Sequence, residues 1–429
     1  MRILLACEFY HPSVGGVQEV MRQVGERLVA RGHDVTVATS RLPERTSLEH
    51  NGVKIVEFAI SGNAVRGFRG DVAAYRRYLT ENDVDVVMVK AAQQWTFDAM
   101  IPALDAIRTP KVFIPCGFSG LYEPAYRDYF EKMPAILGRF DHLIFYASDY
   151  RDVNMAREHG LTNFSIVPNG ASEVEFGVAR DPGFRKRNGI PDDAFLVLTV
   201  GRLGVLKGHW EVAEAFELAQ FGDRPAALIL NGLIEPPIPE TLRVRLMNAG
   251  KMTMATLRTP LGYVKRFVLR LPPRPRSRPP IHELVARINL AAPAKSAAIL
   301  DLPRPELVQA YLNSDLFVFA SHVEYSPLVL FEAAAAGLPF VTVPAGNSAE
   351  IAAWTGGGVV CPAPQDRRGY TQVDPAVLAG RITELAANAA ERDALGRRGH
   401  EAWARAFTWN SITDRYEAIL REAAARRRA

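Results

Sequence analysis

The chain has 429 residues, of which 48% are hydrophobic and 23% charged, with a formal net charge of +4. This is more residues than a single hydrophobic core usually accommodates, and it suits two large domains of a soluble globular protein. The modest charge gives no argument for nucleic-acid binding. Three widely spaced cysteines predict reduced thiols in a cytoplasmic protein. No apolar run approaches the roughly 18 residues of a membrane-spanning helix.

Short apolar runs alternate with helical stretches along the chain, which predicts mainly parallel sheets covered by helices on both faces. In the first half, strands are predicted at 2–9, 34–39, 53–58, 85–90, 111–115, 142–147 and 164–168, and an amphipathic helix at 17–32. After a Pro- and Gly-containing boundary, strands are predicted at 195–200, 226–230, 296–300, 316–320, 340–343 and 358–361.

This alternation predicts an α/β fold with two Rossmann-like, doubly wound domains, 1–175 and 176–408. We expect the last helix, 409–427, to pack back on the first domain. Doubly wound sheets bind ligands at the carboxyl ends of their strands. Two such sheets facing each other would hold a small molecule in the cleft between them.

A basic insertion at 241–280 interrupts the pattern, with ten Lys or Arg residues and no acidic residue. One interpretation is a solvated insertion with a polyproline-like linker. Another is an amphipathic surface that contacts anionic lipid, since apolar residues recur there at helical spacing beside basic ones, although Pro260 interrupts the pattern. Nucleic-acid binding is the least favoured of the three, and we expect no nucleic-acid partner.

A glycine pair follows the first predicted strand, in the segment "PSVGGVQEV". Gly15 and Gly16 lack Cβ atoms, so a ligand can approach the backbone where a helix begins. Unpaired amides at a helix start favour an anion such as phosphate. A tight strand-to-helix turn explains the same residues without a ligand.

The second domain has a comparable loop, "VGRLGVLKGHWEVAEAF". Arg202 and Lys207 follow a strand end and flank glycines, a pattern that suits a diphosphate because Arg offers a planar fork of donors and Lys a compact charge. The alternative is two solvated surface cations.

Two glutamates stand eight positions apart in "HVEYSPLVLFEAAAAGLPF". Pro327 is well placed to start a helix, with Glu324 in the loop ahead of it and Glu332 about a turn and a half along it. The amides of Leu328 and Val329 could then meet a phosphate or a sugar hydroxyl. A capping carboxylate and an exposed helix glutamate are the alternative, but a structural glutamate among small packed residues would be costly to bury.

Together, "YHPSVGGVQEVMRQVGERLVARGHDVTV", "IVPNGA", "VGRLGVLKG" and "EYSPLVLFEAAAAGLPFV" resemble the retaining glycosyltransferases of family 4, which have the GT-B fold. The resemblance implies sugar transfer from a nucleotide-diphosphate sugar to a saccharide or lipid-linked saccharide, with retention and without a metal or other cofactor. It implies that the glycine pair approaches the diphosphate, that Arg202 and Lys207 neutralise it, and that Glu332 holds the ribose and Glu324 the donor sugar. Synthesis of cell-envelope polysaccharide or glycoconjugate is the implied setting.

Three features of the sequence depart from this pattern or compete with it. Many relatives carry a histidine near the donor sugar where this chain has Cys116 and Gly117, and Pro327 stands where glycine is frequent. The sequence Asp83-x-Asp85 looks like a metal-binding DxD motif, but it precedes a buried strand and is interpreted as a turn.

The acceptor is the least specified partner. Candidate acceptor contacts in the first domain are His11, Trp95, Phe118 and Tyr122, since aromatic rings can stack on a sugar, although such residues also build cores. If the basic insertion touches lipid, the enzyme is peripheral on the inner face of the membrane and its acceptor is lipid-linked. Two other functions stay open at this point: a non-catalytic nucleotide-sugar or lipid-binding protein of the same fold, and a GT-B-like nucleotide-sugar epimerase.

Overall fold

The computed structural model describes residues 1–204, 206–233, 279–291 and 294–426. Two parallel sheets organise these residues, one built from the first part of the chain and the other from the second. The predicted α/β class with two doubly wound domains is therefore confirmed, and every predicted strand is present. All but two residues of the predicted basic insertion 241–280 lie outside the described residues.

The first sheet has eight strands in the order β10-β9-β8-β7-β1-β2-β4-β3, with only β3 antiparallel to its neighbour. Its strands are β1 Arg2–Ala6, β2 Asp34–Ser40, β3 Glu49–His50, β4 Val53–Phe58, β7 Val86–Lys90, β8 Lys111–Ile114, β9 His142–Phe145 and β10 Phe164–Ile166. A separate antiparallel hairpin pairs β5 Ser61–Asn63 with β6 Gly67–Arg69. Central strands such as β7 are buried along their whole length, which explains their continuous apolar sequence.

The second sheet has six strands, all parallel, in the order β13-β12-β11-β14-β15-β16. Its strands are β11 Phe195–Val200, β12 Ala226–Asn231, β13 Lys295–Leu300, β14 Leu316–Phe319, β15 Phe340–Thr342 and β16 Gly358–Val360. The strand order reverses direction at β11 and β14, whose carboxyl ends lead into the "VGRLGVLKG" and "HVEYSPLVL" loops. A switch point of this kind opens a crevice for a ligand.

Helices cover both faces of each sheet, and two apolar clusters per sheet form the core. The α-helices are α1 Gly16–Ala30, α2 Val72–Glu81, α3 Trp95–Met100, α4 Arg127–Leu137, α5 Arg151–Glu158, α6 Glu173–Phe176, α7 Phe184–Arg187, α8 His209–Leu218, α9 Ile281–Ala291, α10 Arg304–Asn313, α11 Leu328–Ala335, α12 Ser348–Thr355, α13 Pro375–Ala387, α14 Ala389–Ala406 and α15 Trp409–Arg426. Short 3-10 turns cover Ile101–Ala103 and Pro124–Tyr126.

The last helix returns to the first sheet. Trp409, Ile412 and Tyr416 of α15 are buried in the same apolar cluster as Ile3 and Leu5 of β1. The chain therefore crosses between the domains twice, and the second crossing ties the end of the second domain to the core of the first.

Candidate active site

A cavity of about 440 Å³ lies between the two domains, and loops at the carboxyl ends of strands from both sheets line it. Most of the residues predicted from the sequence to bind the donor meet there. They are Gly15, Gly16, Lys207, Glu324, Leu328, Val329 and Glu332. The glycine loop and the first turn of α1 form one wall, and the start of α11 forms another. The cleft thus brings together segments that are more than 300 residues apart.

The glycine loop lies close to the opposite domain. Helix α1 begins at Gly16, and a Cβ atom placed on this residue would lie 4.0 Å from Leu328 Cδ1. The first amides of a helix have no intrahelical acceptor. The starts of α1 and α11 therefore offer backbone donors to the same cavity, an arrangement that favours an anionic ligand.

Lys207 and Glu324 form an ion pair inside the cleft, with Lys207 Nζ 2.5 Å from Glu324 Oε1. The hydroxyl of Ser321 donates to the same carboxylate oxygen at 2.9 Å. The loop reaches this position through Gly208, whose φ of +73° is left-handed and whose Cβ position lies 2.0 Å from the carbonyl oxygen of Ala320. Any side chain at residue 208 would collide with that backbone, so glycine is required for the approach.

Glu332 lies inside α11, as predicted, and is only 8% exposed. Its Oε1 atom lies 2.7 Å from an Arg304 nitrogen, and its Oε2 atom accepts a hydrogen bond from the Tyr311 hydroxyl at 3.0 Å. Arg304 also pairs with Glu175 at 2.8 Å. A carboxylate has about four acceptor positions, so Glu332 can still accept hydrogen bonds from a ligand.

Arg202, unlike the other residues predicted to bind the donor, does not line the cavity. It directly follows Gly201, which lines the cavity, but its own side chain is exposed and is not part of the cavity wall. Its contact with a donor diphosphate stays a prediction.

Tyr325, between the two glutamates, connects the domains. Its buried hydroxyl accepts a hydrogen bond from the Tyr146 amide at 2.9 Å and donates to the carboxylate of Asp152. Burial raises the pKa of Asp152 to about 6, despite this bond and the one from the Gly117 amide. Gly117 has a φ of +85°, and a Cβ atom there would lie 2.7 Å from Tyr325 Cγ. The second domain's tyrosine thus packs against the Cys116–Gly117 segment of the first domain.

The cleft residues that sequence reasoning missed include Lys90, Asn169, Arg304 and Tyr325. Asn169 belongs to the "VPNG" segment and donates to the carbonyl of Ser326 at 2.9 Å, across the domain boundary. Lys90 had a usable signal, because it is a lysine that ends an otherwise apolar central strand. Arg304 and Tyr325 had none that distinguishes them from ordinary surface or core residues.

Two of the four predicted acceptor contacts are corrected by the structure. Trp95 is fully buried, and its indole nitrogen donates to Ser40 Oγ at 2.8 Å. Phe118 is 1% exposed and packs edge-on against Phe130. Both rings have core partners and no face for a sugar, because the aromatic residues of this domain also have to fill its interior.

The two other acceptor candidates are at the surface. His11 is exposed and stacks on His50 with ring centroids 3.6 Å apart. Tyr122 is 52% exposed and lies under the Arg151 guanidinium. Neither lines the cleft, so their contact with an acceptor stays a prediction.

The aspartates of the DxD-like sequence lie at the amino end of β7. Arg2 pairs with Asp83 at 2.8 Å, and the Arg2 amide donates to Asp85. Over the described ranges, no cluster of three or more His, Cys, Asp or Glu side chains is arranged to hold a metal ion. Within the same ranges, no helix is both long and apolar enough to span a membrane.

Comparison with known proteins agrees with this two-part architecture. The family model described as Glycosyltransferase Family 4 matches residues 14–173, and the model described as Glycosyl transferases group 1 matches residues 289–401. The two matches together cover more than half of the chain, one on each domain. No curated sequence matches the chain.

Solved structures of similar fold span the whole chain. Sucrose-phosphate synthase from Thermosynechococcus elongatus has a TM-score of 0.70 at 19% identity, covering 99% of both chains. HepE from Anabaena in complex with UDP has a TM-score of 0.67 at 16% identity, covering 98% of this chain and 100% of HepE. The trehalose 6-phosphate synthase from Burkholderia multivorans has a TM-score of 0.60 at 16% identity, covering 99% of this chain and 96% of the synthase. These likenesses establish the fold, and with the two family matches they identify the chain as a glycosyltransferase of the GT-B type.

Proposed function

We propose that the protein transfers a sugar from a nucleotide-diphosphate sugar to a hydroxyl of a saccharide or lipid-linked saccharide, with retention of the anomeric configuration. The observation that carries this proposal is the cleft in which Gly15 and Gly16 face Lys207, Glu324 and Glu332. Structures of HepE, which has the same fold, contain UDP, UDP with glucose, or UDP-glucose. A donor of this class has the charge and the hydroxyl groups that suit this cleft.

The chemistry requires stabilisation of a leaving diphosphate. As the glycosidic bond to the nucleotide breaks, negative charge develops on phosphate and positive charge on the sugar. Lys207, Arg202 and the helix-start amides stabilise the phosphate in this proposal, and Glu324 faces the sugar. Two domains that enclose the donor exclude water, so that the acceptor hydroxyl attacks the sugar and its proton passes to the leaving phosphate. Glu332 accepts hydrogen bonds from the ribose.

We also propose that the reaction needs no metal ion, since fixed side-chain cations and amides supply the charge at the diphosphate. The acceptor binds on the first-domain side, where His11 and Tyr122 are the remaining candidate contacts. An acceptor from cell-envelope polysaccharide or glycoconjugate synthesis fits a cytoplasmic enzyme whose basic segment 241–280 holds it against an anionic membrane. At roughly 1 kcal/mol per basic residue near such a surface, a few of the ten would suffice.

The first experiment is a thermal-shift panel of UDP, GDP, ADP, TDP and their common sugar conjugates, each with and without chelator. Selective stabilisation by one nucleotide family, unchanged by chelator, supports a metal-independent donor site and identifies the base. Absence of any shift contradicts the proposal and favours a non-catalytic protein that binds another ligand. Donor turnover without an acceptor that yields an epimerised nucleotide sugar favours the epimerase alternative.

Two further measurements test the proposed retention of configuration and the proposed membrane binding. NMR of the product reports the anomeric configuration, and inversion would contradict the proposed retention. Sedimentation with anionic liposomes at low salt tests the membrane proposal, which fails if the protein stays in the supernatant or if deletion of 241–280 leaves binding unchanged.

A further inference from the structure

Lys90 lies on the first-domain side of the cleft. It is the last residue of β7, a strand next to β1 in the middle of the first sheet, and it is only 1% exposed. Its side chain nevertheless forms part of the wall of the cavity. A lysine in such a place is unusual, because lysine is almost never fully buried without a partner.

The charges around the cleft distinguish Lys90 from the other basic residues there. Among the described residues, three basic side chains line the cavity, namely Lys90, Lys207 and Arg304. Lys207 is paired with Glu324, and Arg304 with Glu332 and Glu175. Over the same described ranges, no carboxylate forms an ion pair with Lys90. Its neighbours are the Tyr146 ring, 5.0 Å from Nζ to the centroid, and the thiols of Cys7 and Cys116.

Burial lowers the pKa of Lys90 to about 8, while the neighbouring thiols act in the opposite direction. The ammonium form therefore predominates at neutral pH, in a cleft whose glutamates, Glu324 and Glu332, pair with Lys207 and Arg304 instead. An isolated buried charge is costly unless it is paired. A ligand that brings an anionic oxygen into the cleft would satisfy it, and strongly perturbed groups in clefts mark functional sites more often than chance.

We propose that Lys90 binds the diphosphate of the donor from the first-domain side, opposite Lys207. This inference rests on the proposed function and adds a residue to that site. The diphosphate is favoured as the source of the anion because β1, the neighbour of β7, leads directly into the Gly15–Gly16 loop. A carboxylate or phosphate on the transferred sugar or on the acceptor offers the same chemistry, and the experiment below distinguishes these sources.

Lys90 from the first domain and Lys207 from the second would both contact the same leaving diphosphate. Lys207 would have to share its charge between Glu324 and the phosphate, whereas Lys90 forms no ion pair with any carboxylate in the described part of the chain. The diphosphate of a bound donor would therefore bridge the two domains.

The pH dependence follows from the groups that face Lys90. Burial raises the pKa of Cys7 to about 12 and also raises the pKa of Cys116 and Tyr146, so these groups are neutral near pH 8. Glu8, adjacent to Cys7, has its pKa raised to about 7 by burial and by Asp98. The pair of Lys207 and Glu324 faces the same cavity from the second domain. Neither the Glu8 nor the Glu324 carboxyl group interacts with Lys90 among the described residues, so donor affinity should fall as Lys90 loses its proton near pH 8.

The test compares wild type with Lys90→Met by titration calorimetry with the nucleoside, the nucleoside diphosphate and the nucleotide sugar of the base found in the thermal-shift panel. Methionine has similar length and tolerates an apolar site. Lys54→Met is the matched control, since Lys54 is on the same sheet, 59% exposed and paired with Asp34. Thermal unfolding of each variant establishes that it is folded.

The expected result is at least tenfold weaker binding of the nucleoside diphosphate and nucleotide sugar by Lys90→Met, with unchanged binding of the nucleoside. In wild type, affinity for the nucleotide sugar should fall between pH 7.5 and about 9, and the step near pH 8 should be absent from Lys90→Met. The wild-type part of this pH measurement does not depend on the folding of a variant.

Three outcomes would overturn the proposal. If Lys90→Met binds the diphosphate as wild type does, the diphosphate is not the anion. If Lys90→Met instead binds less tightly only those nucleotide sugars that carry a carboxylate, or only an anionic acceptor, then that carboxylate or acceptor group is the anion that Lys90 binds. If wild type itself binds no nucleoside diphosphate, the proposed function fails as well, and this result is distinguishable because it appears before any substitution is made.

Discussion

Lys207 and Glu324 are separated by 117 positions in the sequence, yet the ammonium and carboxylate lie 2.5 Å apart in the cleft. Both side chains follow strands that are neighbours in the second sheet, β11 and β14. The pair holds one cation and one anion at the place where a leaving phosphate and a departing sugar would develop opposite charges. Its geometry connects the fold directly to the proposed chemistry.

The first prediction concerns this pair. Lys207→Met and Glu324→Gln should each lower kcat/KM for the donor at least tenfold, about 1.4 kcal/mol in activation free energy. The double variant should lose less than the sum of the two, because each single substitution leaves the other charge without its partner. Steady-state kinetics of the four proteins measures the coupling.

A cycle on Arg187 and Asp181, an exposed pair at 2.6 Å, serves as the control and should show no effect on turnover. Strict additivity for Lys207 and Glu324 would mean that the two residues act independently on the donor.

Glu332→Gln tests the ribose contact. Glutamine keeps an acceptor for the Tyr311 hydroxyl but removes the charge opposite Arg304, and we expect at least tenfold weaker donor turnover. Wild type should bind the ribonucleotide more tightly than its 2′-deoxy counterpart, and the variant should discriminate less between them. Glu306→Gln, on the exposed side of α10, is the control. If wild type and Glu332→Gln discriminate equally between the ribonucleotide and its 2′-deoxy counterpart, Glu332 does not bind the ribose.

Arg202→Ala tests a residue whose side chain is exposed beside the cleft. If Arg202 reaches the diphosphate of a bound donor, its loss should lower donor turnover at least tenfold, because arginine contributes two parallel charge-assisted bonds. Arg287→Ala, on an exposed helix of the same domain, is the comparison and should behave as wild type. Kinetics of Arg202→Ala that match wild type would exclude Arg202 from the site.

Tyr325→Phe tests the connection between the domains. The substitution removes the hydroxyl that donates to the buried carboxylate of Asp152 and accepts from the Tyr146 amide. We expect the free energy of unfolding to fall by about 1 to 3 kcal/mol, since buried polar partners lose a hydrogen bond. Urea unfolding measures the change. Tyr122→Phe, at an exposed ring, should have little effect, and equal stability of both variants would contradict the role of Tyr325.

Lys90→Met should also change stability in a pH-dependent way. The pKa of Lys90 is lowered from 10.5 to about 8 by burial, so the unfolded chain binds more protons between these values. The free energy of unfolding of wild type, relative to Lys90→Met, should therefore rise with pH across this window. The variant should be more stable at pH 7 by about 3 kcal/mol at most, and the difference should vanish above about pH 10.5.

Urea unfolding at several pH values follows this difference. Tyrosines that titrate in the same range are common to both proteins and cancel in the comparison, whereas Cys7 and Cys116 lose the charge of Lys90 in the variant, which raises the pKa of their thiols further. The free energy of unfolding of Lys54→Met should differ little from that of wild type, and the difference should not change with pH. A pH-independent difference for Lys90→Met would mean that Lys90 is paired in the folded protein.

The strands and their order of appearance were predictable because most buried strands are short continuous apolar runs, as at Phe195–Val200, which the structure reproduces without a shift. The start of α11 was predictable from Pro327, which precedes the first helical residue. The aromatic acceptor contacts were less accessible to this reasoning. The sequence around a tryptophan or phenylalanine between two strands does not distinguish a ring that faces solvent from one that packs in the core. Trp95 and Phe118 are both buried in the core.

The sequence by itself determined the chemical character of the cleft, because glycines, helix starts and charged residues next to strand ends have local requirements that can be read along the chain. Only the tertiary structure decided which of these groups meet. The pairing of Lys207 with Glu324, of Arg304 with Glu332, and of Tyr325 with Asp152 depends on strand order and on contacts across two domains. Lys90 is part of the same cleft for the same reason, since its place beside the glycine loop follows from the pairing of β7 with β1. Such contacts are non-local, and no short stretch of sequence contains both partners.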